Sequence, residues 1–184
     1  KEADLPEFSV QLVPTRDRAA VGEMLKMTEH IDVIIPRGGR SLTKRVADES
    51  RIPVFKHLDG NCHVYVDRAA DPGKAVAITV NAKMRRTGIC GAAESLLVHK
   101  DVALTILPQV IEGLVEAGCE IRGDVPTQEV DTRVIPANEQ DWGTEYLGPI
   151  ISVRVVESLE QAIVHVERFG SNHTDSIVTE DDAA

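Results

Sequence analysis

The sequence lacks what several specialised partners require. Its 20 Lys and Arg stand against 30 Asp and Glu, a net charge of −10, whereas binding a phosphate backbone needs clustered cations. No apolar run approaches the roughly 18 residues of a membrane helix, and the opening KEADLPEF has no signal-peptide pattern. A soluble, cytoplasmic protein with neither a nucleic-acid nor a membrane partner is therefore expected. Cysteine is scarce too. Cys62, Cys90 and Cys119 are far apart and odd in number, which is no disulfide framework. No C-x-x-C pair or Cys/His cluster has ligand spacing, so no metal is expected. The full G-x-G-x-x-G fingerprint, internal repeats and low-complexity segments are missing as well. What is left, with 42% of residues hydrophobic and 27% charged, suits one globular domain or two small ones.

The order of short apolar runs and helical periods predicts an α/β fold. A strand over residues 9–13 (SVQLV), closed by Pro14, is followed by a helix capped at Thr15 and running to about Met27. Ala20, Val21, Met24 and Leu25 supply its apolar spacing. Residues 32–35 (DVII) and 52–55 read as buried strands around a helix carrying Leu42, Val46 and Ala47. Strand 62–66 (CHVYV) follows, then a helix opened by Asp71-Pro72 and running toward Lys83. A strand at 95–99 leads into a helix over 102–117, capped by Asp101, closed by Gly118 and interrupted by Pro108. Beyond a short strand at 119–121, residues 122–140 are polar, with room for a small strand or helical turn. Residues 141–149 form a loop with the only tryptophan. A strand at 150–156, a helix at 159–169 between Ser158 and Gly170, and a strand at 176–179 complete the chain. Strands alternating with helices through short connections describe βαβ units and a parallel sheet.

Two turns carry chemistry. Cys90 lies between Gly88 and Gly91, with Arg85 and Arg86 just upstream. Only a thiolate attacks a carbonyl efficiently, and nearby positive charge or a helix N-terminus favours that form. A small buried cysteine at a helix–strand corner is the competing reading. Alternation places Cys62 beside Val64 and Val66, so Cys62 is assigned to packing, as is Cys119. The second turn, Pro36-Arg37-Gly38-Gly39, joins a strand end to a helix start. There, backbone N–H groups and the helix dipole suit an anion, commonly a phosphate. A plain tight βα turn would look the same.

Six segments together resemble a known family. They are SVQLVPTRDRAAVGEML, IDVIIPRGG, PVFKHLDGNCHVYVD, VNAKMRRTGICGAAESLLVH, DWGTEYLGPIISVRVV and GSNHTDSIVTED. In content and order they are similar to the gamma-glutamyl phosphate reductases (glutamate-5-semialdehyde dehydrogenases) of proline biosynthesis, within the aldehyde dehydrogenase superfamily. The resemblance implies a three-layer, parallel-sheet catalytic domain over residues 57–184, with residues 1–56 the C-terminal part of a dinucleotide-binding domain. It implies that Cys90 is the nucleophile toward the acyl phosphate of L-glutamyl 5-phosphate, and that NADPH reduces the resulting thioester. Gly38 and Gly39 would meet the cofactor's pyrophosphate, and Glu145 its nicotinamide ribose. His57, Asn81, Arg86 and His173 lie in family-like segments and are assigned to the small-molecule substrate. The parent protein is expected to be a homo-oligomer.

Some departures carry information. Where oxidising aldehyde dehydrogenases have Glu-Leu-Gly-Gly, whose glutamate helps water hydrolyse the thioester, this chain has His57-Leu58-Asp59-Gly60. Omitting a base for water suits a reductase, for which hydrolysis is wasteful. Thr87 and Gly91 stand where the family usually has Pro and Asn, so oxyanion stabilisation falls to backbone N–H groups. The length matches only the middle to late part of the family, which reads as a catalytic-domain fragment. The alternative reading is a folded module that is inactive alone.

Overall fold

A computed structural model describes residues 5–6, 8–55 and 59–184, the side chain of Arg40 excepted. The chain divides into two compact units, residues 1–58 and 59–184. Among the described residues no helix is long and apolar enough to cross a membrane.

The first unit has two helices, α1 (Ala19–Met24) and α2 (Arg40–Glu49). Leu25, Val46 and Ile52 form its buried apolar contacts. The strand expected over residues 9–13 is absent. Val10 and Leu12 are 86% and 91% exposed, and among the described residues no other segment pairs with their backbone, without which an extended run is not a strand. The runs at 32–35 and 52–55 reduce to one parallel bridge, Ile34 with Val54. α1 also begins later than Thr15 predicts. The Thr15 hydroxyl accepts from the Asp17 amide and the Asp17 carboxylate from the Ala19 amide. Such local side-chain bonds compete with the helix for its first donors.

The second unit contains a six-stranded sheet in the order β4-β3-β5-β2-β1-β6, with every pairing parallel. Its elements are β1 (Cys62–Val66), α3 (Pro72–Met84), β2 (Ala93–His99), α4 (Lys100–Glu116), β3 (Glu120–Gly123), α5 (Val125–Val130), β4 (Ile135–Pro136), β5 (Ile150–Val156), α6 (Leu159–Phe169) and β6 (Asp175–Val178). Strand alternation sorts the core into two layers. Val64, Val66, Leu96, Val98, Ile151 and Val153 pack with Ile106, Leu107, Val110, Ile111 and Leu114 of α4. Tyr65, Leu97 and Val156 pack under Ala162, Leu159 and Val166 of α6. Helices thus cover both faces, which explains why β1 and β2 are buried along their whole length.

The predicted helix starts at Asp71 and Ser158 are observed. The Asp71 carboxylate accepts from the Lys74 amide at 2.8 Å and the Ser158 hydroxyl from the Gln161 amide at 3.3 Å. α4 differs, because His99 rather than Asp101 is its N-cap. Its ring Nδ1 accepts from the Asp101 amide. α4 continues through Pro108, and β2 starts two residues earlier than expected.

The segment after β4 is anchored by Asp141, which is buried in a three-residue 3-10 turn, Asp141–Gly143. Its Oδ1 accepts from Arg122 and from the Tyr146 hydroxyl, each at 2.8 Å, and its Oδ2 accepts from the Asn138 amide. Burial alone would raise this carboxyl's pKa. The Asn138, Arg122 and Tyr146 bonds outweigh burial and hold it below the ordinary carboxylate range. A depressed carboxyl contributes stability above its unfolded pKa and loses it as pH falls through its folded value. The unfolding temperature should therefore fall as pH drops below about 4. Asp141→Asn should be less stable at pH 7 and show less of that acid loss. Parallel pH profiles of thermal unfolding check this, and identical acid slopes in the two proteins would refute it.

Candidate active site

Cys90 sits in the turn between α3 and β2, at the amino end of β2. It is exposed, whereas Cys62 and Cys119 are buried, so the packing reading does not hold for Cys90 and holds for the other two. Burial pushes the thiols of Cys62 and Cys119 up to about 11, which leaves neither ionised near neutrality. Cys90 is the one thiol placed to meet a ligand.

Parallel pairing brings the amino end of β1 beside the Cys90 turn, with Cys62 in register with Ala93. The approach is closest at Gly60. A Cβ at Gly60 would lie 2.0 Å from the Cys90 carbonyl oxygen and 2.8 Å from its Cα, so no other residue fits there. The Gly60 amide donates to Glu145 Oε1 at 2.8 Å. The Cys62 thiol donates to the Cys90 carbonyl at 3.2 Å. Asn61 fixes this strand entry by donating through Nδ2 to the carbonyls of Trp142 and Phe169. Three stretches distant in sequence thereby hold the cysteine turn.

His173 completes the surroundings. Its Nδ1 lies 2.7 Å from Thr174 Oγ1 and 3.7 Å from Cys62 Sγ, and its Cε1 lies 3.9 Å from where a Gly91 Cβ would stand. Arg85 and Arg86 are exposed just past the end of α3 and make no ion pair among the described residues. They are free to meet an anion. Asn81 lies on α3, exposed, one turn before Arg85, and no side-chain bond joins it to the Cys90 turn among the described residues. His57 lies outside the described residues.

Residues 1–141 match the model of the aldehyde dehydrogenase family. The chain belongs to the aldehyde dehydrogenase family. Among relatives, the gamma-glutamyl phosphate reductase of Rhodospirillum rubrum is 55% identical over 184 residues, all of this chain and 43% of that protein. That of Methylorubrum populi is 59% identical over 181 residues, 98% of this chain and 42% of that protein. The chain thus spans less than half the length of the curated relatives it matches. The crystal structure of gamma-glutamyl phosphate reductase from Thermotoga maritima superposes with a TM-score of 0.89 at 43% identity, covering 98% of this chain and 44% of that one. An acetylating aldehyde dehydrogenase from Geobacillus thermoglucosidasius, at 20% identity and a TM-score of 0.69 over 99% of this chain and 48% of that one, shares the fold.

Aldehyde dehydrogenases typically use a nicotinamide dinucleotide, and of the residues that the resemblance assigns to it Gly38 and Gly39 lie in the first unit and Glu145 in the second. In the first unit, Gly39 is the N-cap of α2, with no side-chain cap and no acidic residue in the first turn. A Cβ at Gly39 would meet nothing within 4 Å. This open helix start, with Gly38 before it, suits a pyrophosphate. In the second unit, Glu145 uses Oε1 for Gly60, and its Oε2 has no bonding partner among the described residues, which suits a ribose hydroxyl. The sequence had pointed to Cys90, Glu145, Gly38 and Gly39. It had not pointed to Gly60 as a site residue, although a glycine directly before a buried strand signals close backbone approach.

Proposed function

We propose that this chain is the nucleophile-bearing part of an NADPH-dependent reductase that converts L-glutamyl 5-phosphate to L-glutamate 5-semialdehyde and phosphate, in proline biosynthesis. The observation that carries the reading is an exposed Cys90 in a turn braced by Gly60, Cys62 and Glu145, in a chain 55% identical to a gamma-glutamyl phosphate reductase.

In this reading the Cys90 thiolate attacks the acyl-phosphate carbon. The carbon–sulfur bond forms as the carbon–oxygen bond to phosphate breaks, and the electron pair leaves on phosphate. Arg85 and Arg86, whose planar guanidinium groups match phosphate oxygens, receive the departing dianion. Backbone N–H groups of the glycine-flanked turn face the oxyanion, because Gly91 offers no side-chain donor there. His173, Asn81 and His57 bind the amino-acid portion of the substrate. Gly38 and Gly39 in the first unit and Glu145 in the second are the residues assigned to NADPH, which when bound would supply the hydride; as the thioester carbon gains it, the carbon–sulfur bond breaks and Cys90 returns as the thiolate. Residues 57–60 hold no glutamate to activate water, so the thioester persists until reduced. The intact enzyme works as a homo-oligomer in the cytoplasm.

The experiment that tests this withholds NADPH. The intact reductase is incubated with glutamyl phosphate generated in situ, and its mass is measured. A gain of one glutamyl group, mapped to the peptide bearing Cys90 and removed by hydroxylamine, is expected. An acyl group absent from Cys90, or found on another residue, would refute the assignment. A second reading, that this chain alone is a folded but inactive module, is favoured by the second unit's complete two-layer core. Titrating the chain with NADPH discriminates: tight binding would contradict that reading.

A further inference from the structure

Lys83 and Glu94 are a fully buried ion pair, each 0% exposed, with Nζ 2.5 Å from Oε2. Such a pair is a poor stabiliser, because desolvating two charges costs about as much as their attraction returns, and apolar residues of similar volume often do as well or better. Its location suggests a different role. Lys83 stands on the last turn of α3, just before the Cys90 turn, and Glu94 on β2 just after it. Both chain flanks of the nucleophile are therefore tied to one carboxylate.

The other oxygen of that carboxylate faces the loop that carries Glu145. Glu94 Oε1 accepts from the Leu147 amide at 3.3 Å, next in sequence to Tyr146. Lys83 Nζ lies 5.9 Å from the centre of the Tyr146 ring. Leu147 has a φ of 52°, a left-handed backbone rare for a residue with a branched side chain. That conformation persists only where its surroundings impose it. Apolar residues could fill the space of Lys83 and Glu94, but they could not accept from the Leu147 amide.

We infer that Lys83 and Glu94 are a positioning pair: Glu94 holds the Leu147 amide, and thereby sets Glu145 against Gly60 and the Cys90 turn, while Lys83 ties the same carboxylate to the last turn of α3. The inference rests on the proposed roles of Cys90 and Glu145. Burial raises the Glu94 pKa, opposed chiefly by Lys83. Removing the cation alone therefore leaves a carboxyl that is protonated more readily and accepts more weakly.

Two double variants of the intact reductase separate positioning from packing. Lys83→Met with Glu94→Gln removes both charges but keeps an acceptor for the loop. Lys83→Met with Glu94→Leu removes charges and acceptor together. The Gln pair should keep a KM for NADPH within about threefold of wild type, whereas the Leu pair should raise it on the order of tenfold or more through displacement of Glu145. Both should unfold at similar temperatures. Equal KM values in the two variants would overturn the inference. Should the Leu pair not fold, amide hydrogen exchange in the unmutated enzyme decides: the Leu147 amide should be strongly protected, and free exchange there would overturn it. A fully active Cys90→Ser enzyme would instead sink the reading of the site and leave the exchange result to judge the pair.

Discussion

On the proposed mechanism, Cys90→Ser in the intact protein should lower kcat by a factor of at least about 10⁴, the scale of losing an enzyme's covalent nucleophile. A serine hydroxyl is far less acidic than a thiol, so it is a much weaker nucleophile near neutrality. Cys62 lies close by but cannot substitute, because it is buried and its thiol is pushed up to about 11. Its proton is also committed to the Cys90 carbonyl. The companion variant Cys62→Ser keeps a donor at that place and should retain most of the activity. Steady-state NADPH oxidation in the presence of glutamyl phosphate checks both. A Cys90→Ser enzyme within tenfold of wild type would end the nucleophile assignment. A Cys62→Ser enzyme as dead as Cys90→Ser would show that the two thiols act as a unit, contrary to the geometry.

The second unit was largely legible in its sequence because local signals and the fold agree there. Asp71-Pro72 and Ser158 announce helix starts that the structure uses. The β-prone runs at 62–66 and 150–156 coincide with β1 and β5. The same kind of signal, Asp124 followed by Val125-Pro126, also opens α5, but six residues are too few to show a helical period. The first unit was less legible. Residues 9–13 have strand-like composition, yet a strand exists only through its partner, and composition cannot supply one. Of the site, Cys90 could be weighed because its glycines and arginines are its chain neighbours. Gly60 against Cys90, 30 positions apart, leaves no periodic trace. Nothing in the sequence around Lys83 and Glu94 marks the two charges as a pair, and only the packing shows both at 0% exposure.

Gly60→Ala is the sharper test of how the nucleophile is held. The added Cβ would lie 2.0 Å from the Cys90 oxygen, 2.7 Å from its carbonyl carbon and 2.8 Å from its Cα. All three are backbone atoms, so no rotamer change relieves the overlap and one chain must move. β1 resists, because the neighbouring Asn61 side chain bonds the Trp142 and Phe169 carbonyls and the Gly60 amide bonds Glu145. The exposed Cys90 turn is the softer side, and moving it also strains the Cys62 thiol bond. The stability cost should be that of overpacking, about 1–3 kcal/mol. Activity should suffer far more. A nucleophile displaced by about 1 Å loses its approach to the carbonyl, and kcat should fall about 100-fold or more. Gly91→Ala is the matched control on the other side of the same cysteine, since its Cβ would meet His173 at 3.9 Å, an ordinary contact, and should cost little. The measurements are kcat and the thermal midpoint of each variant beside wild type. Near-normal turnover by Gly60→Ala, or equal losses in the two variants, would mean that the close approach of β1 to the turn does not position Cys90.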